Sequence, residues 1–162
     1  MNQNHFSSPQ RSGFMTIGLI LCLIVAFTAA GVLWNYQYMT IQSVEMECAA
    51  RSAIQAAIND SNADTSIEKV LQTSQEAEVT GTTLNEVLDA TYNHQNSGNQ
   101  LTVTLVDSAN RILKFEQKHK LGIFSGTLKQ ETRSAIENKS FIQYYQINGS
   151  AGNYTFNKCS IQ

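Results

Sequence analysis

The pattern of apolar and polar positions divides this chain into a continuous block, a helical rhythm and a set of alternations. Phe14 to Trp34 is apolar at nearly every position, and no charged residue stands between Arg11 and Glu45. About 21 such residues make a helix of roughly 30 Å, the thickness of a bilayer's hydrocarbon core, so a membrane span is predicted at about 14–34. Beyond it Ile41, Val44 and Cys48, then Ala49, Ala53, Ala56 and Ala57 with Ile54 and Ile58, recur at spacings of three and four. Neither Pro nor Gly occurs from Val32 to Thr80. One helix of about 70 Å running to about Asn59 is the expectation, with a narrow alanine-rich face suited to close packing.

Asn59-Asp60-Ser61-Asn62-Ala63-Asp64 is a polar break rich in cap-forming residues and should end that helix. Thr65 or Ser66 can cap a second helix through about Glu76, with Ile67, Val70 and Leu71 at helical spacing, and Gly81-Thr82-Thr83 can open a third through Leu84, Val87, Leu88 and Tyr92. After the turn-forming loop His94–Asn99 the period drops to two. Leu101, Val103 and Leu105 form one strand and Leu113, Phe115 and Gln117 mark a second, joined by a turn at Asp107-Ser108-Ala109-Asn110. Further strands are expected at about Gly126–Glu137, Phe141–Ile147 and Tyr154–Ile161, the last two around the Asn148–Asn153 turn. The expected fold is α+β. Residues 1–13 form a short leader, 14–60 a long helix, and 61–162 one small domain whose antiparallel sheet buries its apolar face against the outer half of that helix.

Charge sets the orientation. Arg11 and His5 precede the span without any acid, and Glu45 and Glu47 follow it before the first base, Arg51, so the N-terminus is expected in the cytoplasm and the domain outside. Trp34, Tyr36 and Tyr38 read as an interfacial belt at the outer end of the span. The block also fits a plain uncleaved signal anchor, or a cleaved secretory signal with Ile17–Phe27 as its core and Thr28-Ala29-Ala30 as its site. Against the latter, apolar character continues through Val32, Leu33 and Trp34.

With 11 Lys and Arg against 13 Asp and Glu, a net charge of −2 and a pI near 5.9, the chain has no basic footprint, which excludes nucleic acid as an expected partner. Charged residues are only 15%, so the surface is polar but weakly charged. Cys22 lies inside the span and reads as a small apolar residue. Cys48 and Cys159 can pair in an oxidising compartment, stay as two free thiols, or bridge two chains.

Candidate chemistry is sparse. Phosphate loops, metalloprotease helices and nucleophile elbows are all missing from the sequence. The pairs Glu45/Glu47 and Glu76/Glu78 are two apart, which on a helix sets them in different directions. His5, His94 and His119 lack metal-ligand spacing, and His119 between Lys118 and Lys120 suits a strand edge. Asn59, Asn138, Asn148 and Asn153 stand in glycosylation triplets, which such an Asn/Ser/Thr-rich chain also produces by chance. No cofactor, no metal and no enzymatic activity are expected.

Ser12-Gly13-Phe14-Met15-Thr16-Ile17, followed by the apolar helix, resembles the cleavage region of type IV prepilins, in which a dedicated peptidase cuts after the glycine. That resemblance implies processing between Gly13 and Phe14. The Trp34-Asn35-Tyr36-Gln37-Tyr38 exit, the Ala49–Ala57 helix end, the paired strands at Leu101–Val106 and Arg111–Lys118, and Leu121-Gly122-Ile123-Phe124-Ser125-Gly126 make the rest similar to the TadE/TadF minor pilins, or pseudopilins, of tight-adherence (Flp) pili. The resemblance implies a structural or assembly subunit of a pilus or secretion apparatus. Its partners would be membrane lipid, other pilin-like subunits, the assembly machinery and a prepilin peptidase. Both families usually carry glutamate at the fifth mature position, and here Gly18 stands there, which moves the expected role from major pilin toward a priming or assembly subunit. A signal-anchored sensor or accessory subunit of an unrelated membrane complex is the alternative.

Overall fold

A computed structural model describes residues 10–73, 77–93, 101–118 and 140–161, with side chains from Met15 onward. One helix, α1 (Gln10–Asn59), takes up 50 of these residues, about 75 Å at 1.5 Å per residue. It begins ahead of Gly13 and passes through Phe14 without interruption. Its first half is long and apolar enough to cross a membrane, and its side chains from Met15 to Ile24 are all exposed. The few polar side chains there turn back on the helix itself: Thr28 Oγ1 donates to the Val25 carbonyl at 2.9 Å, and Asn35 Nδ2 to the Gly31 carbonyl at 3.2 Å. Such local bonds satisfy groups that would otherwise be costly in hydrocarbon.

The outer half of α1 is the spine of a small domain. Met46, Ala49, Ala50, Ala53, Ile54 and Ala57 are buried in its core, and the alanines let other elements come close. Ile41, Val44 and Cys48, read from the sequence as part of the same rhythm, lie instead on the solvent side. At about 100° per residue their direction is roughly opposite to that of Met46 and Ala53.

The polar break ends α1 as expected. The Asp60 carboxylate accepts from the Asn62 amide at 2.8 Å, from Thr65 Oγ1 at 2.5 Å and from the Thr83 hydroxyl, which ties the loop after α1 to the start of the third helix. These bonds, those from Thr65 and Thr83 above all, hold the Asp60 carboxyl below its ordinary value of 3.8. The tie is therefore fully present above pH 3.8 and is lost as pH falls through the lowered value.

The short helix α2 (Ile67–Gln72) stops before the expected Glu76, because Thr73 is already extended and bonds back to the Val70 carbonyl. In α3 (Thr83–Leu88) Thr82 is the cap, its hydroxyl accepting from the Asn85 amide. This helix packs directly on α1 and continues as a π-helical turn, Asp89–Asn93, that carries Tyr92 into the core. The expected loop at 94–99 lies outside the described residues.

The sheet contains β1 (Leu101–Asp107), β2 (Ile112–Lys118), β3 (Ser140–Ser150) and β4 (Asn153–Cys159), all antiparallel and in that order. The predicted alternation holds: Leu101, Val103, Leu105, Leu113, Phe115 and Gln117 point inward, while Lys114 and Glu116 pair at 2.9 Å on the outer face. The strand expected at 126–137 lies outside the described residues, and β3 is longer than the predicted 141–147. The outer edge of β1 is partly covered, since Val79 donates to the Val103 carbonyl at 2.9 Å and Glu78 bridges Thr104. Capping a free edge in this way limits edge-to-edge association.

Two glycines make the β3–β4 turn possible, Gly149 at φ +100 and Gly152 at φ +84. A Cβ on Gly149 would stand 2.2 Å from the Asn153 carbonyl oxygen. Gly149→Ala is expected to destabilise the domain by about 1–3 kcal/mol from the backbone conformation alone, with the collision added, whereas Ser150→Ala should be close to neutral. Thermal unfolding of the full chain in detergent checks this, and equal midpoints for the two variants would contradict it.

Candidate functional site

The chemistry-bearing residues of the described chain collect where α1 crosses the inner face of the sheet. Tyr145 of β3 is central. Its ring meets Phe115 edge-on at 5.5 Å and Phe156 at 6.2 Å, the Arg51 guanidinium lies 5.8 Å from its centroid, and its hydroxyl donates to Gln143 Oε1 at 3.1 Å. The Gln143 amide in turn reaches the Ser43 carbonyl of α1 at 3.4 Å. Burial pushes the Tyr145 hydroxyl up to about 12, with the Glu47 carboxylate adding to the effect, so it stays protonated at neutral pH.

Glu47 joins helix to sheet from the rim. Lys158 of β4 approaches its carboxylate at 2.6 Å and Arg51 at 3.0 Å, and the hydrogen bonds from these two hold the carboxyl below its ordinary value. These groups are partly exposed, so the pair is worth at most about 1 kcal/mol and serves register more than stability. Glu45 is exposed and takes no part, which agrees with the expected divergence of Glu45 and Glu47.

Toward the apolar half of α1 the core turns polar. Gln42, Tyr92 and Gln117 are buried, and the Tyr92 hydroxyl and both amide atoms of Gln42 and Gln117 complete no hydrogen bond among the described residues. Tyr92 sits close to Gln117 and to the Tyr38 and Glu45 side of α1, and burial pushes its hydroxyl up to about 12. Unpartnered buried amides are costly, so Gln117→Met, which keeps the volume, is expected to raise stability by about 1–2 kcal/mol. Chemical denaturation in detergent reads this. A loss of stability would mean that Gln117 has a partner the side-chain geometry does not reveal.

Of the residues singled out in the sequence, Gly13 and Phe14 lie within α1, and an added Cβ at Gly18 meets nothing within 4 Å. Trp34 and Tyr36 are exposed around the helix where the apolar stretch ends. His5, Glu76, His94 and His119 lie outside the described residues. Cys22, Cys48 and Cys159 are free thiols. The register explains why the last two do not meet: Cys159 is opposite Tyr144, whereas the side chains that face α1 belong to its neighbours Lys158 and Tyr145. Burial raises the Cys159 thiol above its ordinary value.

Among the described residues no three of His, Cys, Asp and Glu come together as a metal-binding group. A solvent-open cleft at the far tip, between the end of α1 and the β3–β4 turn, is lined by Asp60, Ser66, Glu68 and Tyr154, and Asp60 is already engaged by hydroxyls. Comparison with protein-family models, with curated proteins and with solved structures finds no match.

Proposed function

We propose that this chain is a single-pass, membrane-anchored, pilin-like subunit of the TadE type, a non-enzymatic structural or assembly component of a pilus or related secretion apparatus. The observation that carries the reading is the unbroken run of α1 from an apolar, exposed half into the alanine-lined spine of a small α+β domain. A helix of this kind is stored in the bilayer and can later exchange lipid for similar helices without refolding its domain. Arg11 before the apolar stretch and Glu45 and Glu47 after it support a cytoplasmic N-terminus and an extracytoplasmic domain.

Co-expression with a prepilin peptidase tests the reading. Intact mass of the membrane-extracted chain should fall by the mass of Met1–Gly13, leaving Phe14 as the new N-terminus. A mature N-terminus at Gly31 would replace it with a secreted protein. A second reading, a signal-anchored accessory subunit of another membrane complex, is favoured by Gly18, because the helix has room for the missing side chain and nothing in its packing requires glycine. An uncleaved chain in the presence of active peptidase would select that reading.

A further inference from the structure

Outside α1 the described residues expose two large apolar side chains, Ile142 at 45% and Ile161 at 49%. Both stand at the same end of the sheet, since Cys159 pairs with Tyr144 and the antiparallel chain beyond it runs back toward the level of Ile142. The opposite end, where the β3–β4 turn meets the loop after α1, presents Ser61, Asn62, Asn148, Ser150 and Asn153. Scattered exposed apolar side chains are ordinary, but here the large ones collect at one end and the surface is graded along its length.

The apolar end is the one that faces the bilayer. β3 runs the same way as α1, for Gln143 bonds to Ser43, Tyr145 lies beside Arg51 farther out, and the turn after β3 reaches the cleft beside Asn59. Ser43 stands roughly 13 Å beyond Trp34 along the helix, and strand residues rise about 3.3 Å each. Ile142 therefore lies roughly 10 Å, and Ser140 with its cross-strand partner Lys118 roughly 4 Å, past the end of the apolar stretch. The headgroup layer of a bilayer is roughly 5–7 Å deep on each side, so the strand ends at Lys118 and Ser140 fall within it. A lean of α1 by about 20°, common for single helices, lowers a point about 15 Å to its side by roughly 5 Å, which brings in Ile142 and Ile161 as well.

Depth selects lipid as the partner of this rim, which is continuous with the part of α1 already in the bilayer. The side chains suit it. Exposed Lys118 can lay its stem along apolar groups and set its ammonium among phosphates, while Glu116 on the same strand is already neutralised by Lys114 at 2.9 Å.

We propose that the membrane-proximal rim of the sheet, Lys118 with Ile142 and Ile161, rests in the headgroup layer of the bilayer that holds α1, so that α1 leans toward its sheet and the domain is seated on lipid. The seating rests on membrane insertion of α1 and holds for a pilin-like subunit and an accessory subunit alike.

Fluorescence quenching in phosphatidylcholine vesicles tests it. In the full chain carrying Cys22→Ser, Cys48→Ser and Cys159→Ser, a single cysteine bearing a fluorophore replaces Ile142, Ile161, Ala151 at the far turn, or Val25 within the span. Lipid with a nitroxide on its headgroup should quench the probes at Ile142 and Ile161 several-fold more than the probe at Ala151, and lipid with a nitroxide on its acyl chain should quench the probe at Val25. With the probe at Ile161, Lys118→Gln together with Ile142→Thr should bring headgroup quenching down toward the level of Ala151, with thermal unfolding in detergent confirming that the variant is folded. Quenching at Ile142 and Ile161 no stronger than at Ala151, while Val25 is quenched, would overturn the seating and leave the membrane span standing. An unquenched probe at Val25 would remove the span and the seating together. Probes at Ile142 and Ile161 shielded from both the nitroxide lipid and aqueous iodide would put protein over the rim in place of lipid and overturn the proposal as well.

Discussion

Phe115→Ala should cost the domain about 3–5 kcal/mol, out of the 5–15 kcal/mol that typically separates a folded domain from its unfolded chain. Phe115 is fully buried in the central strand pair, and its ring is the edge-on partner of Tyr145 at 5.5 Å. Removing it leaves a cavity beside Tyr145, which contacts β2, β4 and α1 together, so relaxation into the gap would disturb Arg51 and Gln143 as well. Phe115→Leu keeps most of the volume and should cost about 1–1.5 kcal/mol. Denaturation of the full chain in detergent, followed by tyrosine near-ultraviolet dichroism, measures both. A loss below about 1 kcal/mol for the alanine variant would mean that the helix–sheet face is not the core that the burial of these residues indicates.

Much of this architecture is written in local patterns. The uncharged block, the polar stop at Asn59–Asp64 and the alternation of β1 and β2 each arise from neighbours within a few residues, and each appears where the period places it. What escaped has a common cause. α1 beyond Trp34 has two faces that both read as apolar, one through Ile41, Val44 and Cys48 and one through Met46, Ala49 and Ala53, and only the docking of the sheet decides which is inside. Gln117 was readable as inward-pointing from its alternation with Phe115, but its meeting with Tyr92 depends on a π-helical turn that has no sequence period. The contact between Glu47 and Lys158 joins residues 111 positions apart, and the Val79 bond to Val103 is a lone rung; neither leaves a local trace. At the candidate site the Trp34–Tyr38 exit and the cysteines were visible, whereas the Tyr145 cluster was not.

A single arginine at the middle of the apolar stretch should have the second large effect. Leu23→Arg replaces a residue that favours insertion by a few tenths of a kcal/mol with one that opposes it by about 2.5–3.5 kcal/mol at the centre of a span. Among the described residues one helix is long and apolar enough to cross a membrane, and Leu23 lies in its apolar half. Most of the variant is expected in the carbonate-soluble or degraded fraction, while Ser52→Arg, on the exposed side of α1 farther out, should integrate normally. Retention of Leu23→Arg at the level of the parent chain would show that this stretch is not held in hydrocarbon.

The continuity of α1 also makes the molecule a lever. Its 25 residues beyond Trp34 project roughly 37 Å, so a tilt of about 20° within the bilayer, common for single helices, would carry the end of α1 sideways by roughly 13 Å. Tilt responds to bilayer thickness, since a long apolar stretch leans over in a thin membrane and stands up in a thick one. With α1 anchored as proposed, the reach of the domain across the membrane surface would be set by the lipid around the apolar half of a helix whose other half is the domain's own spine.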